Sequence, residues 1–94
     1  MPDGMDAPRL LPWQSDEGKP CYLLTDGTGP LSRLADHVET VQLETAARLL
    51  AHAADLLAAP RATPDQLRFL LHRMHESLTD VHRIARSRGV RPPV

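Results

Sequence analysis

The chain has 94 residues, enough for one domain, with 41% hydrophobic residues, 24% charged residues and a formal net charge of −1. These values are ordinary for a globular protein and exclude wholesale disorder or a collagen-like repeat. No apolar run approaches the roughly 20 residues of a transmembrane helix, and the first ten residues lack the features of a signal peptide. The lone cysteine, Cys21, excludes an internal disulfide framework. We therefore expect a cytoplasmic protein with no membrane partner.

Aromatic residues make up only 3% of the chain. Because aromatic side chains bury the largest areas, the core must be built from Leu, Val and Ala. That composition favours helices packed on helices over a β-sandwich, whose strands prefer aromatic and β-branched residues.

Residues 1–18 are predicted to form a flexible or docked N-terminal arm, since prolines and glycines interrupt any regular pattern. The single-domain helical hairpin is predicted to follow at 19–94. It begins with the one strand-like run, at about 20–25, which is bounded by Pro20 and a turn-rich segment. A lone strand is unstable in water, so residues 9–13 or a second subunit must pair with it.

The first helix is predicted at about 31–59. Its apolar residues fall in an arc of roughly 180°, wider than the stripe of about 100° that one neighbour covers. The arc contains Leu31, Leu34, Ala35, Val38, Val41, Ala46, Leu49, Leu50, Ala53, Leu56 and Leu57. Such a helix is expected to contact two neighbours.

The second helix is predicted at about 64–88. Thr63 is the expected N-cap, Pro64 occupies the first helical position and Gln66 completes a capping box. Gly89 suits the position just after the helix. One face of this helix is apolar, with Leu67, Leu70, Leu71, Met74, Leu78, Val81, Ile84 and Ala85.

The predicted fold is mainly α: an antiparallel two-helix hairpin with a short N-terminal β or extended arm. Two helices cannot bury so much apolar surface, so we expect a homodimer that forms a four-helix bundle. The alternative is that the arm folds back over the surplus. The candidate interface residues are Gln42, Leu49, Leu50, Leu57, Met74, Phe69 and Trp13.

Phe69 is placed nearly opposite the apolar face of the second helix. An exposed phenylalanine needs a cover. We expect Trp13 or Tyr22 of the arm to pack over it, or else Phe69 marks a partner site.

His72, His75 and Glu76 are the candidate metal ligands, because their spacing places them close together on one helix. The competing interpretation is that they are solvated or ion-paired residues beside the apolar face. Cys21 lacks any local pattern of a cysteine enzyme, and the Asp26-Gly27-Thr28-Gly29 run lacks the ending of a phosphate loop. No cofactor and no catalytic residue is predicted.

Charge divides the chain into two halves. Residues 1–60 hold four basic and nine acidic residues, whereas residues 61–94 hold seven arginines and three acids. A basic second helix can follow phosphates. The competing interpretation is that an acidic first half faces a basic second half within a bundle.

Three runs carry a resemblance: Gly18 to Leu23, Leu31 to Asp36, and Asp80 to Ala85 followed by Ser87-Arg88-Gly89. They resemble a group of small Streptomyces-type actinobacterial proteins that have no established activity, so the resemblance implies no catalytic residue. A strand followed by helices also resembles antitoxins of the Phd/YefM type.

These observations favour a non-enzymatic, dimeric helical interaction protein, regulatory or accessory to a larger protein partner. One alternative is a nucleic-acid-associated regulator or antitoxin that uses the basic second helix. Another is a small metalloprotein that uses the histidine cluster.

Overall fold

The computed structural model describes residues 8–89 and is mainly helical. Two strands, β1 (Pro8–Gln14) and β2 (Pro20–Leu24), precede two helices, α1 (Pro30–Ala58) and α2 (Pro64–Ser87). The strands pair antiparallel and form the hairpin at the N-terminal side of the helices. Neither helix is long and apolar enough to cross a membrane.

Part of the predicted arm is ordered structure, because residues 8–14 are β1. Arg9 lies opposite Leu23 and Leu10 opposite Tyr22, and the register then shifts before Gln14 pairs with Pro20. Ser15 closes the connection, since its amide donates to the carbonyl of Lys19 at 2.9 Å. The pairing of β1 with β2 satisfies the requirement that a strand have a partner.

Strand β1 is covered on both faces. Successive side chains of a strand point to opposite sides, yet Leu10, Leu11 and Pro12 are all buried. The strand contacts both helices. It therefore lies wedged between the first half of α1 and the last half of α2.

The edge of β1 away from β2 is also occupied. The carbonyls of Leu10 and Pro12 are two residues apart and so point to the same edge. Ser87 of α2 donates its hydroxyl to the Leu10 carbonyl at 2.8 Å, and Gln42 of α1 donates its amide to the Pro12 carbonyl at 2.9 Å. Because Pro12 has no N–H, this edge offers few donors to a further strand.

A tight turn connects β2 to α1. Asp26 Oδ1 accepts hydrogen bonds from the Thr28 amide at 3.0 Å and the Thr28 hydroxyl at 2.7 Å. The hydroxyl and then the amide of Thr28 hold the pKa of the Asp26 carboxyl below its ordinary value, since both bonds favour the charged form. Gly29, with φ of 100°, is the N-cap, and Pro30 starts the helix.

The second helix begins and ends as its sequence indicates. Thr63 Oγ1 accepts from the Gln66 amide at 3.1 Å, and Gln66 Oε1 accepts from the Thr63 amide at 2.8 Å. The predicted capping box is therefore confirmed. At the other end Gly89 adopts φ of 62°, a conformation that glycine adopts without strain, and its amide donates to the Arg86 carbonyl.

The buried apolar core is thin. Among the described residues it consists of Leu10, Leu11, Ala35, Leu70 and Ile84. Four of these five lie where β1 meets the helices, and only Leu70 belongs to the half of the helical hairpin next to its loop. The half of the helical hairpin next to its loop therefore has fewer buried apolar residues than the half that contacts β1.

Candidate interaction surface

We call the end that contains the β-hairpin the base (residues 8–42 and 79–89) and the loop end of the helices the tip (residues 43–78). The base is fastened by a buried carboxylate. The side chain of Glu39 is only 4% exposed and lies 3.4 Å from Arg9 of β1 and 3.2 Å from Arg88, which follows α2. Two guanidinium groups therefore compensate one buried charge, as burial of an ion requires.

Arg9 extends this cluster to the start of α1. It donates to Asp36 Oδ1 at 2.8 Å and to the Ser32 carbonyl at 3.3 Å. Burial alone would lower the pKa of Arg9, but the hydrogen bond to Asp36 and the charge of Glu39 outweigh it, so the pKa lies above its ordinary value. Arg9 stays charged and connects the strand to the helix. The polar groups of Arg9 therefore stabilise the fold.

The tip differs, because α1 carries there a row of exposed apolar residues that we call the α1 outer stripe. It consists of Leu43, Ala47, Leu50, Ala54 and Leu57. The steps between them alternate four and three residues, which is the heptad spacing of a helix that packs against another helix. The exposed fraction reaches 65% at Leu50 and 88% at Leu57.

Helix α2 carries a similar row, the α2 outer stripe. It consists of Leu67, Leu71, Leu78 and Ala85, all of them exposed. Met74 and Val81 are half-buried and fill the heptad positions between these residues. The fully buried residues of α2 are Leu70, Ser77 and Ile84, so the outer stripe lies beside the buried face and not on it.

Both outer stripes lie on the same side of the hairpin. At about 100° per residue, each stripe is displaced roughly a quarter turn from the face that packs on the other helix, in the direction of increasing residue number. When two antiparallel helices are viewed from one end, residue number increases clockwise around one and counter-clockwise around the other. The two displacements therefore place both stripes on one side of the hairpin. The tip therefore presents one broad apolar surface.

The structure distributes the predicted interface residues among three places. Leu50 and Leu57 lie on the α1 outer stripe, whereas Leu49 and Met74 are half-buried on the facing sides of the two helices. Gln42 and the half-buried Trp13 belong to the base, where Gln42 contacts β1.

The expectation that Trp13 or Tyr22 covers Phe69 is wrong. Phe69 is 66% exposed, and it lies about 27 Å along α2 from Ser87, the residue that contacts β1. The N-terminal strands reach the far end of the helix instead. Phe69 also lies about half a turn from the α2 outer stripe, so it does not belong to the surface described above.

The candidate metal ligands lie on the exposed surface of α2. His72 and His75 line an open groove with Arg68 and Leu71, whereas Glu76 accepts from Arg73 at 3.3 Å. The described residues contain no group of three or more ligand side chains arranged to hold a metal ion.

Sequence reasoning missed the polar side chains that hold the base. Glu39 and Ser32 are buried, although a helical wheel assigns no special role to a serine or glutamate inside an apolar arc. A usable signal exists for Glu39, because it falls among apolar residues, between Ala35 and Ala46 on the same face. Such a charge needs a partner.

Comparisons with protein-family models, with curated proteins and with solved structures find no match for this chain.

Proposed function

We propose that this protein is a non-enzymatic helical interaction protein that forms a homodimer and acts as a regulatory or accessory subunit of a larger partner. In the homodimer the outer stripes of two copies pack together into a four-helix bundle. The observation that supports this proposal is the continuous apolar surface at the tip, with six leucines 39–88% exposed. Monomeric proteins rarely leave an apolar patch of this kind uncovered.

A second copy is the simplest partner for this surface. A two-fold dimer buries the same patch on both chains, and the heptad spacing of the outer stripes lets leucines of one copy insert between those of the other. The edges of the sheet are less suited to this role. One edge of β1 is occupied by Ser87 and Gln42, and β2 has only five residues.

Sedimentation equilibrium over a range of concentrations tests the proposal. The expected mass is twice the 10.4 kDa of one chain. Leu50→Glu should abolish the dimer without unfolding the chain, because Leu50 is mostly exposed in the monomer but buried in the proposed dimer.

Leu24→Glu is the matched control. Leu24 is exposed to a similar degree, at 68%, but it lies in β2, away from both outer stripes. This variant should dimerise like the wild type. A wild-type chain that remains monomeric, or equal behaviour of the two variants, would contradict the proposal.

The second candidate is a nucleic-acid-associated regulator. It is favoured by the exposed basic residues beside the α2 outer stripe, namely Arg68, His72, His75, His82 and Arg86. A gel-shift titration at two salt concentrations tests it, since phosphate contacts give an affinity that falls steeply with salt. Loss of the shift in an Arg68→Glu, Arg86→Glu variant would support this candidate, and the absence of any shift in the wild type would reject it.

A further inference from the structure

This inference rests on the proposed homodimer and concerns how its two copies are oriented. When two copies pack through the same face, the two-fold axis lies in the plane of the interface. If the axis runs along the helices, α1 of one copy packs on α2 of the other and both loops lie at the same end. If the axis runs across the helices, each helix packs on its own counterpart and the loops lie at opposite ends.

Charges beside the outer stripes differ between the two helices. Beyond the α2 outer stripe lie Arg68, His75, His82 and Arg86, all exposed. Beyond the α1 outer stripe lie Glu44, Arg48 and Asp55, also exposed, so this edge carries two acids and one base. Among residues 8–89 none of these seven side chains forms an ion pair within the chain, so all are available to a partner.

The two arrangements bring these charges together differently. If each helix packed on its own counterpart, the arginines of the two α2 edges would face each other, and like charges across an interface disfavour association. If α1 packed on the partner's α2, Arg68 and Arg86 would lie on the side of Glu44 and Asp55. Although Arg48 offsets one of the two acids, only the second arrangement places the basic edge of α2 against an edge of net negative charge.

The shape of α1 agrees with this pairing. The residues between its outer stripe and the two acids include Ala51 and Ala58, both exposed. Small side chains leave room for a long arginine side chain to lie across the edge of α1. The arginine stem then covers apolar surface while its charged end reaches a carboxylate.

We propose that the partner on the tip is a second copy of this chain whose loop lies at the same end, with α1 of each copy packed on α2 of the other. The dimer is then joined by two identical α1–α2 contacts, each with a leucine-rich centre and a charged edge.

Charge reversal tests this arrangement. One variant carries Arg68→Glu and Arg86→Glu, a second carries Glu44→Arg and Asp55→Arg, and a third combines all four substitutions. Each double variant should dimerise about tenfold more weakly than the wild type at low salt, because attraction at the edge becomes repulsion. The fourfold variant should recover the wild-type dissociation constant, since complementarity is restored with opposite signs.

The other arrangement predicts a different pattern. If each helix packs on its own counterpart, the variant with Arg68→Glu and Arg86→Glu exchanges one pair of like charges for another and dimerises as the wild type does. Mixing that variant with wild type would then give heterodimers tighter than either homodimer. That pattern, or a fourfold variant as weak as the doubles, would overturn the proposal.

Two measurements separate this inference from the proposed function. If the wild type sediments as a monomer, the homodimer itself is wrong. If it dimerises but the charge variants follow the other pattern, only the arrangement is wrong. Circular dichroism of each variant confirms that the chain remains folded, which we expect because all four side chains are exposed.

Discussion

The base and the tip are held together by different forces. At the base, side chains from α1 and α2 bind the carbonyls of β1, and Glu39 joins a strand residue to a residue at the end of α2. At the tip, the described hydrogen bonds are local to one helix or to the loop, and the helices meet through half-buried Leu, Ala and Met side chains. Polar contacts within the chain hold β1 to both helices at the base, although Gln42 Oε1 is buried without a partner among the described residues and Leu34 and Val41 are exposed. The tip leaves the two outer stripes in water.

This difference separates what the chain does for its own folding from what it offers to a partner. Hydrogen bonds and ion pairs are directional and need a fixed geometry, which the fold of one chain provides. Apolar contacts are non-directional, and removing water from an apolar surface lowers the free energy. Substitutions at the base should therefore affect stability, and substitutions on the outer stripes should affect association.

The largest expected contrast is between two adjacent leucines. Leu70 is buried and Leu71 is 68% exposed. Leu70→Asp should prevent folding, because it buries a charge without a partner. Leu71→Asp should give a folded monomer. Circular dichroism and sedimentation measure the two outcomes, and equal unfolding of both variants would refute the distinction between inner and outer faces.

The next effect concerns the buried carboxylate of the base. Arg9→Met should lower the free energy of unfolding by about 3 kcal/mol, since Glu39 would lose one of the two cations that compensate it. Lys19→Met is the matched control, because Lys19 and Glu17 form an exposed pair, and such pairs contribute about 0–1 kcal/mol. Urea denaturation compares them, and a similar loss in both variants would mean that the cluster does not hold the base.

A smaller effect is expected at the start of α2. Thr63→Ala removes the hydroxyl that accepts from the Gln66 amide and should cost about 1 kcal/mol. Thr40→Ala is the control, since Thr40 lies inside α1 and its exposed hydroxyl only donates to the Asp36 carbonyl. If the two substitutions lower the melting temperature equally, the capping box does not stabilise the helix as described.

The smallest expected effect is a change in the pKa of one side chain. Thr28→Val removes the hydroxyl that binds Asp26 and should move the pKa of Asp26 up toward its ordinary value, as measured by NMR. In the wild type the lowered pKa means that the Asp26 contact stabilises the turn at neutral pH. This contribution is lost as the pH falls through the lowered pKa. An unchanged titration would show that the Thr28 hydroxyl does not bind the carboxylate.

The sequence predicts the helices well because their signals are local. The capping box at Thr63, the glycine at position 89 and the helical periodicity of the apolar residues each depend on residues a few positions apart. The mainly helical fold with an N-terminal β element follows from them, and so does the surplus of apolar helix surface.

The rest depends on contacts between residues far apart in the chain. Distant segments are joined by the hydrogen bond from Ser87 to Leu10 and by the ion pairs of Glu39 with Arg9 and Arg88. No local pattern in the sequence predicts these contacts. For the same reason the prediction that the arm covers Phe69 is wrong, since β1 docks at the opposite end of α2. Chain periodicity shows which face is apolar but not which neighbour covers it.

We infer that a second copy covers the two outer stripes, whereas contacts within one chain hold β1 to both helices at the base. Methyl NMR with a soluble paramagnetic agent measures solvent access to individual leucines in dilute and concentrated samples. We predict that Leu50, Leu71 and Leu78 become protected as concentration rises, while Leu24 stays accessible and Leu10 stays protected throughout. Stripe leucines that remain accessible at every concentration would contradict the account.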